Sequence, residues 1–501
     1  MPPKADGGLR SLHWTVRGAA LLALGALAAL GQAPTYFWWL TIPALALAFF
    51  ILPAASGRAV FWGGWALGVG YFAVALRWIV SPFMVDAARD GWMAPFALVL
   101  MACGVALFWG AASLLAHRYL RGSGPGLAIA LTLAEAARAY VLTGFPWALV
   151  GHVLIDTPLG QLAAFGGPHL LTLFVFVGAA VLARPGLLWT GPAVVLAVGA
   201  WVLAAPPEGA VPADAPVVRL VQPNAPQEEK WDPVMSQVFF ERMLTFTGDE
   251  AVPDLVVWPE SAIAMLLNYA DDALVQISDA ARGAPVILGV NREEGGLYYN
   301  SFVHLGRSGV IEGVYDKQHL VPFGEYIPGG NMLHQIGIEG FGSNYGGGFT
   351  EGRGGRRLTI PGIGVIRPLI CYEGIFAEEI RGAADRPRAM VLITNDAWFG
   401  KAAGPLQHLA QARLRSIEQG LPMVRVANTG ISAVIDAYGR VVDRIPLGVA
   451  DYIDVPLPPA RTATLYARTG DGVVIGLLLF GGFAVWLRGR KNAVDPSHPA
   501  A

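Results

Sequence analysis

The first two hundred residues of this 501-residue chain break into successive apolar runs, each close to the roughly 20 residues a helix needs to cross a bilayer core of about 30 Å. Seven runs fall at 15–31, 36–54, 59–80, 93–116, 125–145, 160–182 and 187–205, separated by short turns holding Pro, Gly or a few charges. An eighth, from Gly472 to Leu487, ends in Arg488, Arg490 and Lys491. The pattern predicts a membrane α-helical bundle of about eight spans, because a backbone in hydrocarbon must satisfy its polar groups within each segment. Composition agrees: 54% of residues are hydrophobic and 14% charged, against about 25% charged in soluble domains. A fully soluble enzyme, a disordered chain and a collagen-like fibre are excluded. A formal net charge of −2 shows no basic excess, which argues against a nucleic-acid partner.

Basic residues set the orientation. The amino-terminal tail, Arg58, His117-Arg118-Arg121 and Arg184 fall in alternate loops, whereas the intervening loops hold little beyond Arg89. The positive-inside rule then puts the amino terminus in the cytoplasm, and seven crossings deliver residue 206 to the outer face. Tyr36, Phe37, Trp38 and Trp39 fit an interfacial aromatic belt at the outer end of the second run. The first run, preceded by Lys4 and Arg10, reads as a retained span or as a cleaved signal peptide. Three segments follow: a seven-span region at 1–205, an extracytoplasmic domain at 206–470, and an eighth span with a cytoplasmic tail at 471–501.

Between residues 206 and 470 charged residues return. Strand-like runs at Val217–Val221, Leu255–Trp258, Val286–Val290, Tyr299–Leu305, Val310–Tyr315, Gly364–Ile370, Ala389–Thr394, Met423–Ala427 and Ser432–Ala437 alternate with helical stretches at 233–247, 271–282 and 405–419. That alternation predicts an α/β layered domain. The glycine-dense stretch 339–355 lacks the spacing of a phosphate-cradling loop and reads as a mobile loop.

Two cysteines in the chain exclude a disulfide scaffold and multi-cysteine metal sites, and no other metal-ligand pattern is present. Cys103 lies in an apolar run and reads as packing. Cys371 ends a strand-like run just before a helix-like segment, an elbow that exposes a side chain at the rim of a sheet and offers backbone N–H groups beside it. By itself it reads first as a buried strand-end residue. A thiol needs a base or a neighbouring charge to become a nucleophile. His304, His319, His334 and His408 sit in settings typical of surface or packing residues. Glu260, after a strand and a Pro-fixed exit, and Lys317, at a strand end before a Pro/Gly loop, belong at the carboxyl edge of a sheet, where α/β ligand sites form. Each alone is an ordinary solvated charge; their joint appearance with a strand-end Cys suggests a site.

Val256-Val257-Trp258-Pro259-Glu260-Ser261, Lys317-Gln318-His319-Leu320-Val321-Pro322-Phe323-Gly324-Glu325-Tyr326 and Ile370-Cys371-Tyr372-Glu373, in that order, resemble the Glu–Lys–Cys triad segments of the nitrilase superfamily. Combined with eight spans, the resemblance narrows to the apolipoprotein N-acyltransferase family. Gly144-Phe145-Pro146-Trp147, Asn224 to Trp231 and Thr394 to Gly400 support it. It implies an αββα sandwich and a ping-pong acyl transfer without metal or cofactor. Glu260 would be the base, Cys371 the nucleophile and Lys317 an oxyanion donor, with Glu325 and Glu373 keeping Lys317 oriented and protonated. Trp231 and Tyr372 would line the acyl or head-group pocket. The implied partners are a phospholipid acyl donor such as phosphatidylethanolamine, the diacylglyceryl-cysteine amino terminus of an apolipoprotein, and membrane lipid.

Apolar loop residues Trp398-Phe399 and Met332-Leu333 read either as a lid touching lipid or as loop packing. Glu135 and Arg138, three apart on one helix, read first as a structural pair and second as a head-group site. Two other functions are weighed against the acyltransferase. A membrane-tethered amidase would share the triad without needing lipid. A transporter or receptor would show several charges along a transport path, and intramembrane charges are few here.

Overall fold

The computed structural model describes residues 13–53, 56–184, 201, 211–328, 348–381 and 386–494. The chain divides into a helical unit, 1–206 with 469–501, and an α/β unit, 207–468.

In the helical unit the helices are Trp14–Ala29, Trp38–Ile51, Gly57–Ala75, Ala94–Tyr119, Gly124–Tyr140, Ala163–Ala183 and Gly472–Val494. Each begins within a few residues of an expected span, but several are shorter. Among the described residues two helical segments, Ala87–Tyr119 and Pro158–Ala183, are long and apolar enough to cross a membrane, and a third if Gly57–Ala75 and the bent 3-10 segment Arg77–Met84 form one span. The expected eight spans are therefore not reached by helix length and hydropathy alone, and the run 187–205 lies outside the described residues except for Trp201. The shortening has local causes. The fifth run ends at Tyr140, where Arg138 turns to the carbonyls of the following loop, and the second is bounded by Phe37 and Pro53. Close approach holds the bundle together: a Cβ on Gly25 would lie 1.9 Å from the Leu67 carbonyl oxygen, and one on Gly70 1.9 Å from that of Leu22. Small residues at such crossings replace the hydrophobic drive that lipid removes.

Among the described residues the α/β unit has twelve strands in two six-stranded sheets. The first sheet holds β1 (Val217–Gln222), β2 (Leu255–Val257), β3 (Val286–Glu294), β4 (Leu297–Leu305) and β5 (Ile311–Asp316). The second holds β6 (Leu358–Ile360), β7 (Gly364–Ile370), β8 (Ala389–Thr394), β9 (Met423–Ala427), β10 (Ser432–Ile435) and β11 (Val441–Ile445), and β12 (Asp451–Pro456) returns to the edge of the first beside β1. β1, β2 and β3 run parallel, as do β7, β8 and β9, and antiparallel strands flank each trio. Buried on both faces, the parallel strands are continuous apolar runs; every residue of β8 and β9 is buried. Polar ties join the sheets: Gln222 Oε1 accepts from the Ser432 hydroxyl at 2.6 Å, and the Asn224 amide donates to the Asn428 carbonyl at 3.1 Å. Helices Pro233–Gly248 and Asp271–Ala280 cover a core of Val256, Leu274, Ile277 and Leu288, while Ala403–Gln419 covers one of Met390, Leu392, Leu409 and Ala433. The observed arrangement is a two-sheet α/β sandwich.

Candidate active site

Glu260 leaves β2 through Trp258-Pro259, and its main chain lies so close to β3 that a Cβ on Gly289 would sit 2.5 Å from the Glu260 Cα. Only glycine fits there, and the contact fixes where the carboxylate starts. The side chain is buried. Its Oε1 accepts from Asn300 Nδ2 at 2.7 Å and its Oε2 from the Asn395 backbone amide at 2.7 Å, so β4 and the end of β8 both hold it.

Lys317 follows β5, its amide donating to the Asn300 carbonyl at 2.9 Å. The ammonium is buried 2.8 Å from Glu325 Oε1 and 3.7 Å from Glu260 Oε1. Burial works against its charge, but Glu325 and then Glu260 more than offset that and hold its pKa above the ordinary lysine value. Lys317 thus stays protonated throughout the working pH range. Glu325 is fixed in turn, Oε2 accepting from the Val321 amide at 2.7 Å.

Cys371 closes β7 and opens a single 3-10 turn, Cys371–Ile375, with φ at +49°. A non-glycine residue in the left-handed region persists only where its surroundings over-determine it. Two tethers do so here. Glu373 Oε2 accepts from the Ile370 amide at 2.8 Å, and His408 Nε2 donates to the Cys371 carbonyl at 3.2 Å. The thiol is buried. Burial first, and then the Glu260 charge, push its pKa well up, opposed by the Lys317 ammonium and a hydrogen bond with Thr394. A thiol in this setting rests protonated and needs a base before it can attack.

The structure thus brings Glu260, Lys317, Cys371 and Glu325 to one place. Glu373 differs from the expectation: it does not touch Lys317. Its Oε1 accepts from the Tyr315 hydroxyl at 2.6 Å and from the amides of Gln318 and His319 at 2.8 and 3.3 Å. It therefore ties the backbone just after Lys317 to the cysteine elbow, and burial raises its own pKa. Tyr372 is buried edge-on to Phe376, with ring centroids 5.0 Å apart. Trp231 is partly exposed beside Lys230. Trp398 is half-buried, and Phe399 is buried edge-on to the His408 ring at 5.6 Å, which is loop packing rather than an exposed lid. Met332 and Leu333 lie outside the described residues, as does His334.

Several groups at the site escape a reading of the sequence. Asn300 bridges the two carboxylates, reaching Glu325 Oε1 at 3.3 Å as well as Glu260. His408, expected to be a packing or surface residue, is fully buried behind the elbow with Asp396 and Arg425: His408 Nδ1 lies 2.9 Å from Asp396 Oδ1, and Arg425 Nη2 donates to Asp396 Oδ2 at 2.6 Å. Burial opposes the Asp396 charge, but Arg425 and His408 hold its carboxyl well below the usual carboxylate range. Lys230 is buried with its ammonium 3.2 Å from the Glu260 carbonyl oxygen. Lys230 and Asn395-Asp396 lay in segments that carried the resemblance, but none of their side chains was singled out there. Among the described residues no group of three or more His, Cys, Asp or Glu is placed to hold a metal ion.

Comparison with known proteins covers both units. Residues 24–181 match the model of the apolipoprotein N-acyltransferase N-terminal domain, and residues 242–466 match the model of the carbon-nitrogen hydrolases. An apolipoprotein N-acyltransferase of Rhodopseudomonas palustris is 36% identical over 95% of this chain and 96% of that one. One from Sinorhizobium fredii is 39% identical over 81% and 80%, and one from Caulobacter vibrioides 38% over 85% of each. The chain belongs to the apolipoprotein N-acyltransferase family.

Proposed function

We propose that the chain acylates the amino terminus of apolipoproteins through a thioester on Cys371, with Glu260 as the proton carrier and Lys317 as the oxyanion donor. The observation that carries this is the buried Lys317 ammonium 3.7 Å from Glu260, with both charges acting on the Cys371 thiol.

In the first half-reaction Glu260 takes the thiol proton and the sulfur attacks the ester carbonyl of a phospholipid, forming a C–S bond. Negative charge develops on the carbonyl oxygen, where Lys317 and a backbone N–H of the elbow stabilise it; one such donor contributes about 3–4 kcal/mol. The ester C–O bond breaks, and Glu260 returns the proton to the departing lysophospholipid. In the second half the α-amino group of a diacylglyceryl-cysteine attacks the thioester. A C–N bond forms, the C–S bond breaks, and the amine proton passes through Glu260 back to sulfur. Glu325 holds Lys317 in place by direct contact, and Glu373 does so through the backbone. Trp231 and Tyr372 would contact the acyl chain or head group, with Trp398 and Phe399 shaping the neighbouring loop.

The helical unit serves this chemistry physically. Lipid substrates cost about 0.8 kcal/mol per CH₂ to extract from the bilayer, and an enzyme carried in the membrane avoids that cost. The basic-loop pattern supports a bacterial inner-membrane, multi-pass topology of eight spans with the α/β unit on the outer face. Phosphatidylethanolamine is the expected donor.

Incubating the purified protein with phosphatidylethanolamine and a synthetic diacylated lipopeptide tests the proposal. Mass spectrometry should find an acyl adduct on Cys371 that lipopeptide discharges, and Cys371→Ser should form neither adduct nor product. An unacylated Cys371, or ammonia release from soluble amides without lipid, would instead favour an amidase.

A further inference from the structure

Lys230 is a buried cation outside the triad. It ends the run Glu228-Glu229-Lys230, just before Trp231 and the helix Pro233–Gly248. Its side chain nevertheless turns inward: the residue is 5% exposed, its ammonium donates to the Glu260 carbonyl oxygen at 3.2 Å, and the Trp231 ring centroid lies 5.7 Å away. Among the described residues no carboxylate comes within ion-pairing distance of it. A small cavity lined by Lys230, Ser236, Phe239, Met243, Pro259 and Asn428 adjoins it. A buried ammonium with one backbone acceptor is costly to fold around, and such groups persist where they act on something else.

Glu260 and Cys371 are the ionisable groups whose fields reach Lys230. Counting charge around the thiol, Asp396 is offset by its partner Arg425, Glu260 and Glu325 supply two negatives and Lys317 one positive; Lys230 is the second positive. When Glu260 takes the thiol proton, the negative charge moves from carboxylate to sulfur and the sum is unchanged. Without Lys230 the thiolate would form in a pocket with an uncompensated negative charge. We infer that Lys230 is a positioning residue of the acyl transfer: it anchors the main chain from which the Glu260 carboxylate projects and supplies the second positive charge under which Cys371 ionises. Lys317 acts on the sulfur directly, whereas Lys230, whose charge both Glu260 and Cys371 favour, acts from the Glu260 side.

Burial lowers the pKa of Lys230 to about 8, opposed by the Glu260 and Cys371 charges. The ammonium therefore loses its proton at a pH where Lys317 keeps its own, which gives the arrangement a signature of its own.

This inference rests on Cys371 being the nucleophile. The test is the alkylation rate of Cys371 by iodoacetamide, followed by mass spectrometry from pH 6 to 10 in the intact detergent-solubilised protein, alongside kcat and KM for lipopeptide acylation. Cys371→Ala is the control for labelling at Cys103. Lys230→Met should alkylate about tenfold more slowly at pH 7, one pKa unit being one factor of ten, and approach the wild-type rate as pH rises. Its kcat should fall with KM little changed, and Lys230→Arg should recover part of the loss. In the wild type, needing no variant to fold, the rise of alkylation with pH should flatten above about pH 8 as Lys230 loses its charge. Superposable pH profiles for wild type and Lys230→Met, or a wild-type profile rising smoothly through pH 8, would overturn the role of Lys230. A wild-type enzyme that never forms an acyl adduct on Cys371 would instead overturn the thioester reading beneath it.

Discussion

Both units bury a glutamate against a cation, and the two clusters are built on opposite plans. In the helical unit Glu135 and Arg138 are one turn apart on the helix Gly124–Tyr140. Glu135 Oε1 accepts from Trp109 Nε1 at 2.8 Å, its Oε2 pairs with Arg138 Nη2 at 2.8 Å, and Arg138 Nη1 donates to the Trp147 carbonyl at 2.8 Å and to that of Phe145. Both oxygens are engaged, and the guanidinium pins the non-helical loop that follows the helix. In the α/β unit Lys317 is shared by two carboxylates, Lys230 has one acceptor, and the Cys371 thiol rests protonated against an unfavourable field. The saturated cluster holds a loop, whereas the unsaturated one keeps protons movable. Glu135 and Arg138 thus follow the structural reading of their spacing rather than the head-group one.

The contrast can be broken most severely at the nucleophile. Cys371→Ala should abolish acyl transfer and Glu260→Gln should lower it at least about 10³-fold, both with folded protein at wild-type yield, as read by lipopeptide acylation and size-exclusion chromatography. The saturated pair should behave in the reverse way. Glu135→Gln leaves Arg138 buried without its counter-charge and should cost about 3–5 kcal/mol of stability, seen as a lower unfolding midpoint in detergent, while folded molecules keep their turnover. Replacing both Glu135 and Arg138 with Met should recover much of that loss, since apolar substitutes for a buried pair are often neutral. A double variant no better than the single would show that the loop-pinning bonds of Arg138, rather than charge pairing, hold that region.

A step smaller is the oxyanion donor. Lys317→Met should lower kcat by about 10² to 10³, with the rate of adduct formation falling in step. Equal loss in KM alone would place Lys317 in substrate binding instead.

How much of this was legible beforehand follows the same physics. β7, β8 and β9 match the expected strands to the residue, because parallel strands buried on both faces carry an uninterrupted apolar signal. β6 has three residues, and β11 exposes its central Val442, Asp443 and Arg444, so neither shows that signal; β12, with Asp451 and Asp454, was hidden for the same reason. Glu260, Lys317 and Cys371 stood out because each sits at a strand end, Glu260 after a Pro-fixed exit, Lys317 before a Pro/Gly loop and Cys371 at a strand-to-helix elbow. Asn300 lies inside β4, and His408 on the helix Ala403–Gln419, where nothing in local spacing marks them; their roles come from contacts 40 and 37 residues away. Lys230 lies in the Asn224 to Trp231 segment that supported the resemblance, but nothing in the local pattern marked its side chain as buried. Several described helices are shorter than the expected spans because apolar runs continue through loops such as 141–149 that fold as irregular backbone tied to Arg138.

The smallest effect separates function from stability at a single residue. Lys230 has a pKa depressed by burial from the ordinary 10.5 to about 8. Between those values the unfolded chain binds a proton that the folded chain does not, so stability rises with pH through that window, and the contribution present above 10.5 is lost as pH falls through 8. At neutral pH the folded protein therefore carries a cost that an apolar side chain would remove. Lys230→Met should raise the detergent unfolding midpoint at pH 7 by a few degrees, and the gain should shrink as pH approaches 10, even as the variant loses acylation rate. A residue kept only for packing would show the opposite sign, with Lys230→Met less stable at every pH. Losing activity while gaining stability is what an unsaturated charge held for chemistry predicts, and the Glu135 variant provides the contrasting case of stability lost with turnover retained.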